Sequence, residues 1–101
     1  MTFKRGEIKA ALTSKGFNAF SGSNHEKFIY FRLSGLKTHV FTLMSYGRSG
    51  MDIATRRVGD MARQCRIDRE TFTGLISCDI DQEEYEAVLI QQKDLLEAPP
   101  D

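Results

Sequence analysis

The sequence predicts an α+β fold in which three strands lie together, with helices before and after them. The length of 101 residues suits one compact domain with a core of its own. Between residues 17 and 44, short runs rich in aromatic and branched side chains alternate with turns, a pattern typical of strands. On either side of this segment, apolar residues recur at helical spacing. The expected order is therefore α-β-β-β-α with additional C-terminal helices.

The first helix is expected over residues 4–15, because Ile8, Ala11 and Leu12 fall on one face at i, i+3 and i+4 spacing. Gly16 can end this helix in the left-handed conformation. Three antiparallel strands are then expected over residues 17–20, 27–33 and 38–44.

The second of these strands offers two candidate faces, since side chains alternate along a strand. The face expected to meet the core carries Ile29, Phe31 and Leu33. Phe28, Tyr30 and Arg32 then form a half-exposed aromatic face with a basic edge, which can stack bases or meet a partner protein. The alternative is that a helix covers this second face.

The loop after the strands, S-Y-G-R-S-G at residues 45–50, carries Arg48 at its centre. Asp52 is expected to cap the following helix, which extends to about Arg66. Arg56 and Arg57 fall on its polar face.

Two shorter helices are expected in the acidic C-terminal part. Asp68 is placed to cap the first, and Asp81 with Glu84 three residues later forms a capping-box pattern for the second. These features divide the chain into a core at residues 1–78 and an acidic helical extension with a frayed tail at residues 79–101.

Zero net charge hides a strong asymmetry. Residues 1–66 contain twelve Lys and Arg against four acids, whereas residues 67–101 contain two against ten. This favours a polyanion partner for the basic part, and the alternative is that the two parts neutralise each other in the fold. One hypothesis follows, in which residues 79–97 shield the basic face and deletion of residues 79–101 tightens RNA binding.

The N-terminal segment M-T-F-K-R-G-E lacks the apolar run of a signal peptide or a membrane span, so a cytoplasmic protein without membrane contact is expected. Cys65 and Cys78 lack the spacing of metal ligands, and no dinucleotide or phosphate-loop glycine pattern occurs. Neither a metal nor a cofactor is therefore expected. The sequence does not predict an oligomeric state.

Three segments carry a family resemblance: K-R-G-E-I-K-A-A-L-T-S-K-G-F at 4–17, G-S-N-H-E-K-F at 22–28 and I-D-R-E-T-F at 67–72. In this order, over residues 4 to about 76, they resemble the HicA family of bacterial mRNA-cleaving toxins. The α-β-β-β-α order is also similar to the double-stranded-RNA-binding fold. The segment D-Q-E-E-Y-E-A-V-L at 81–89 is similar to an extension found in a branch of HicA-like proteins.

The resemblance implies that the chain is an mRNA interferase, an endoribonuclease that works without a metal. Members of the family cut mRNA with one histidine after a glycine-containing turn, and the matching position here is His25. The resemblance also implies a HicB-type antitoxin that covers this histidine.

The residues around His25 support this chemistry on their own terms. RNA cleavage without a metal needs a base for the 2′-hydroxyl and an acid for the leaving oxygen, and histidine suits either role. Lys27 and the backbone N–H groups of residues 22–24 can hold phosphate charge, and Ser23 or Asn24 can orient the imidazole. The remaining expected RNA contacts are Phe28, Tyr30, Arg48, Arg56 and Arg57.

Two interpretations remain open at this point. In the first, His25 is a general acid/base of an RNA-cleaving toxin. In the second, His25 only ends a loop, and the domain is a non-catalytic RNA- or protein-binding module, including a regulator encoded by mobile DNA. His39 lies mid-strand without a flanking turn, so a structural or solvent-facing histidine is expected there.

Overall fold

The computed structural model describes residues 3–95 as a small α+β domain with an antiparallel three-stranded sheet and four helices. The elements in chain order are β1 (Phe3–Lys4), α1 (Arg5–Ser14), β2 (Phe17–Ser21), β3 (His25–Phe31), β4 (Lys37–Ser45), β5 (Asp52–Ile53), α2 (Thr55–Gln64), α3 (Arg69–Ile76) and α4 (Gln82–Gln91). No helix within the described range is long and apolar enough to cross a membrane. The predicted frayed tail at residues 98–101 lies outside the described residues.

The sheet has the order β2-β3-β4, so the expected meander of three strands is confirmed. A second, two-residue ribbon pairs β1 with β5 and was not anticipated. It draws Asp52 into a strand opposite Lys4, and Ala54 becomes the residue before α2. The prediction that Asp52 caps this helix is therefore wrong.

The hydrophobic core lies on one face of the sheet, between the strands and the four helices. Phe28 and Tyr30 are fully buried in this core, beside Val40 and Met44 of β4. Phe31 is only half-buried, and Leu33 is exposed. The predicted assignment of the two β3 faces is therefore wrong, because the row that contains Phe28 and Tyr30 faces inward. Ile29 is buried as predicted, at 8% exposed, but it lies outside the core cluster.

Three aromatic rings from separate elements meet at the centre of the core. Phe17, Tyr30 and Tyr85 have ring centroids 5.0–5.7 Å apart, and Tyr30 meets Tyr85 edge to face. Burial raises the pKa of both tyrosine hydroxyls above the ordinary value. The Tyr85 hydroxyl donates to the Cys65 carbonyl oxygen at 2.8 Å, so α4 is fixed to the end of α2.

Helix α4 therefore belongs to the same core as the rest of the domain. Tyr85 and Leu89 are fully buried, and deletion of residues 79–101 would remove both. Such a deletion would disrupt the core, so it cannot isolate an electrostatic effect of the acidic region.

Six ion pairs occur within residues 3–95, and one of them, Arg32 with Glu86, joins the basic part of the chain to the acidic part. The other five lie within the basic part. Within this range, the basic and acidic parts of the chain therefore neutralise each other directly through one buried ion pair. The arginines of α2 are not paired with acids of α4.

The predicted caps of α3 and α4 are confirmed. The Asp68 carboxylate accepts from the Thr71 N–H at 2.7 Å, and hydrogen bonding from the Thr71 side chain and N–H lowers the pKa of Asp68. Asp81 and Glu84 form the reciprocal capping box, with the Glu84 N–H donating to Asp81 at 2.8 Å.

Helices α2, α3 and α4 are each followed by a non-glycine residue in the left-handed conformation: Arg66, Cys78 and Lys93, with φ of 67°, 69° and 66°. Glycine is favoured at this position because other residues pay a steric cost there. We expect Cys78→Gly and Lys93→Gly each to raise the free energy of unfolding by about 0.5–1 kcal/mol. Chemical denaturation measures this, and a loss of stability in both variants would contradict the backbone assignment.

Candidate functional site

His25 is the first residue of β3, and its side chain is exposed. Its neighbour Glu26 faces α1, and successive side chains alternate, so the imidazole lies on the opposite, outer face of the sheet. Ser45 is the register partner of His25 at the end of β4. Within residues 3–95 no hydrogen bond or ion pair reaches the imidazole, so both ring nitrogens are accessible to a ligand.

The turn before His25 is held by two hydrogen bonds. The Gly22 N–H donates to the His25 carbonyl oxygen at 3.0 Å, and the Tyr46 hydroxyl donates to the Gly22 carbonyl oxygen at 2.6 Å. A Cβ at Gly22 would lie 2.9 Å from the His25 carbonyl oxygen, so this close approach requires glycine. Because the Gly22 N–H already donates to the His25 carbonyl oxygen, it is not available to the anion-binding nest that the sequence predicted. Ser23 and Asn24 remain exposed at the tip of the turn.

Directly behind His25, a buried ionic network joins the ends of two strands to α1. The Arg5 guanidinium donates to Glu26 at 2.8 Å and to the Ser45 carbonyl oxygen at 2.8 Å, and Lys9 donates to the second Glu26 oxygen at 2.9 Å. Burial alone would raise the pKa of Glu26, but the hydrogen bonds and charges of Lys9 and Arg5 outweigh it and lower that pKa. This network sets the position of the His25 backbone.

The outer face of the sheet continues from His25 along β3 and β4. Lys27 lies two residues further on, roughly 7 Å away along the strand, and its ammonium group sits 4.4 Å from the centre of the Phe41 ring. Phe41 and Phe20 are 38% and 45% exposed. A cation and two accessible aromatic rings therefore follow the histidine on one open surface.

The aromatic residues that the sequence analysis proposed for base stacking are not on this surface. Phe28 and Tyr30 are fully buried, so their rings cannot stack on RNA in this fold. Phe20 and Phe41 occupy the exposed positions instead, and sequence reasoning missed both. The alternation of side chains in T-H-V-F-T-L-M at residues 38–44 could have indicated Phe41. It places Phe41 on the outer face of β4, whereas its neighbours Val40 and Thr42 face inward.

Arg48 lies in an exposed loop beyond the His25 turn. Backbone hydrogen bonds of 2.8 Å fix this loop to the start of α1, from Arg5 to Met51 and from Gly6 to Ser49. The loop is thus anchored next to the network that supports His25, and Arg48 stands at the same end of the sheet.

Helix α2 covers the outer edge of β4. The Gln64 side-chain oxygen accepts from the Thr42 hydroxyl at 2.6 Å and from the Leu43 N–H at 3.1 Å, and Arg57 donates to the Leu43 carbonyl oxygen at 3.3 Å. These contacts satisfy the backbone groups of an edge strand. They also place Arg57 beside the open face of the sheet.

A groove of about 550 Å³ runs between β4 and α2. Its walls are formed by His39, Phe41 and Leu43 on one side and by Arg57, Arg63 and Arg66 on the other. Arg56 lies outside this groove, in a separate depression between α2 and α3. The structure therefore brings Arg57 to the sheet face and separates Arg56 from it.

Within the described part of the chain, no group of three or more His, Cys, Asp or Glu side chains is arranged to hold a metal ion. No family model, no curated protein and no solved structure matches this chain.

Proposed function

We propose that this chain is a HicA-like endoribonuclease with a double-stranded-RNA-binding-like core, which cleaves mRNA in the cytoplasm with His25 as its general acid/base. The observation that carries the proposal is the position of His25. An accessible imidazole stands at the end of an open sheet face, with a cation and exposed aromatic rings behind it. The proposal also rests on the segment resemblance over residues 4 to about 76.

The chemistry needs only groups that this site can supply. The His25 imidazole accepts the proton of a ribose 2′-hydroxyl, and the 2′ oxygen bonds to the adjacent phosphorus as the P–O5′ bond breaks. The leaving 5′ oxygen takes the proton back from the imidazolium. The products are a 2′,3′-cyclic phosphate and a 5′-hydroxyl end.

The surrounding residues divide the remaining tasks. Arg48 lies at the same end of the sheet, and the Lys27 ammonium group lies further along the same face, over Phe41. Both supply positive charge for the phosphate, whose negative charge increases in the transition state. Ser23 and Asn24, at the exposed tip of the turn, offer hydroxyl and amide groups to the ribose or the imidazole. Phe20 and Phe41 replace Phe28 and Tyr30 as surfaces for bases.

A partner protein is part of the same proposal. The sheet face around His25 is open over the described residues and carries exposed apolar side chains between polar ones. Such a composition is typical of protein interfaces. A HicB-type antitoxin that covers this face would exclude RNA from His25.

The purified protein, incubated with single-stranded RNA, is expected to release fragments with 2′,3′-cyclic phosphate and 5′-hydroxyl ends, because attack by the 2′-hydroxyl produces both. End-group analysis of the fragments measures this. The matched control is the same RNA with one 2′-O-methyl ribose at the cleaved position, where cleavage should stop at that site only. Fragments with 3′-hydroxyl ends, or cutting that ignores the methyl group, would rule out the mechanism.

The second candidate is a non-catalytic RNA- or protein-binding module on the same fold. One observation favours it: within residues 3–95 no carboxylate or second histidine contacts the His25 imidazole, whereas many catalytic histidines are oriented by such a group. RNA that is bound but never cut by freshly purified protein would support the module.

A further inference from the structure

The groove between β4 and α2 combines features that suit a nucleotide. Its volume of about 550 Å³ falls within the range of small-ligand sites. One wall presents the half-exposed Phe41 ring, with the Lys27 ammonium group 4.4 Å from its centre, and the other presents Arg57, Arg63 and Arg66. Asp60 is the acid that lines the groove, and it already pairs with Arg57 and Arg63.

Arg66 has a backbone conformation that favours glycine. Its φ of 67° lies in the left-handed region, yet the position carries a long cationic side chain that lines the groove. Within residues 3–95 no carboxylate pairs with Arg66.

We propose that this groove is a nucleotide-binding subsite for the RNA strand that reaches His25, with a base on Phe41 and a phosphate group on Arg66. This inference rests on the proposed function. Charge complementarity and the aromatic wall together select a single strand, because a duplex hides the faces of its bases.

The strand register gives the distance between the groove and His25. Ser45 pairs with His25, and Phe41 lies four residues earlier on the same strand, so the two sites are about 13 Å apart along β4. At about 3.4 Å per stacked nucleotide, the anchored nucleotide lies up to about four positions from the cleaved bond.

The test measures affinity in a His25→Ala background, in which the strand stays intact. The probe is a fluorescein-labelled single-stranded RNA, titrated at several salt concentrations. Arg66→Gly should weaken binding about fivefold at about 0.1 M salt and lower the salt slope by about 0.7, since it removes one phosphate contact. Phe41→Ala should weaken binding about 5- to 150-fold, the range measured for loss of a base–aromatic stack.

The matched control is Lys93→Gly. It removes one positive charge at a position with the same left-handed backbone, φ 66°, outside the groove lining. Lys93→Gly should leave affinity and salt slope unchanged. Equal losses in Arg66→Gly and Lys93→Gly would show only long-range charge and would overturn the subsite.

Two other outcomes separate this inference from the proposed function. If RNA binds and is cut by the wild type, but Arg66→Gly and Phe41→Ala bind as tightly as their parent, the subsite is wrong and the function stands. If inorganic phosphate at millimolar concentration displaces the RNA as completely as excess unlabelled RNA does, the groove is an ion site and the subsite is also wrong. Absence of any RNA binding would overturn both.

Discussion

His25→Ala is expected to lower the rate of RNA cleavage by about 10²–10⁴, the usual contribution of one general acid/base group. The fold should not change, because the His25 side chain is exposed and makes no hydrogen bond within residues 3–95. RNA affinity should be retained, because the phosphate and base contacts proposed for Arg48, Lys27 and the exposed aromatic rings are unchanged in this variant. Single-turnover cleavage at saturating RNA measures the rate, and fluorescence anisotropy measures the affinity.

A second variant separates proton transfer from shape. His25→Gln keeps a polar side chain of similar length but cannot exchange a proton near neutral pH, so it should be as inactive as His25→Ala. Gln91→Ala, at an exposed position at the end of α4, is the control that should keep full activity. In a bacterial host, induced wild-type protein should arrest growth, whereas both His25 variants at matched soluble levels should not. Full cleavage activity in His25→Gln would contradict the acid/base role of His25.

The side chains of β3 that face the core show why alternation along the sequence predicted the wrong core face. That row begins with Glu26, an acid, and Arg32 follows the strand's end, so the opposite row with Ile29 looked more suitable for a core. Glu26 can be buried because Arg5 and Lys9 reach it from α1, and Arg32 because Glu86 reaches it from α4. These ion pairs join residues that are 17, 21 and 54 positions apart in the sequence, so no local pattern indicates them.

Local signals succeeded where the stabilising contacts are local. The caps at Asp68 and Asp81 involve residues three positions away, and both were predicted. Helix α1 and the three strands also follow from short-range periodicity. The β1–β5 ribbon pairs residues about fifty positions apart over two residues each, and no pattern of that length indicates a strand.

The candidate site also contains residues that are close in sequence and residues that only packing brings together. His25, Ser23, Asn24 and Lys27 are close in sequence, so one motif could indicate them together. The groove combines Phe41 on β4 with arginines in and just after α2 that come sixteen or more residues later. Only the packing of α2 along the β4 edge, through Gln64, brings those walls together.

The Arg5–Glu26 pair should control stability more strongly than any other ion pair within residues 3–95. We expect Glu26→Leu to lose about 3–5 kcal/mol of unfolding free energy at neutral pH, because it leaves the buried Arg5 guanidinium without its carboxylate. The side chains of Arg5 and Glu26 are 7% and 8% exposed, so solvent cannot replace the lost partner. Urea denaturation measures the change.

The control is an ion pair at the surface. Asp52→Asn breaks the Lys4–Asp52 pair, in which both side chains are more than half exposed, and it should cost at most about 1 kcal/mol. A similar loss in Glu26→Leu and Asp52→Asn would show that the buried network contributes no more than a surface pair.

The same pair predicts how stability depends on pH. The pKa of Glu26 is lower in the folded protein than its ordinary value of 4.5, so folding favours the ionised carboxylate. Its contribution is fully present above the unfolded pKa and is lost as pH falls through the folded pKa. As pH falls below about 4.5, wild-type protein should therefore lose stability more steeply than Glu26→Gln, which has no proton to bind at this position. Because Arg5 also holds the Ser45 carbonyl opposite His25, this acid-induced loss should disorder the His25 end of the sheet first. Hydrogen exchange at the His25 and Ser45 amides, followed across the same pH range, should show earlier loss of protection there than in α3, and uniform loss would contradict a local network.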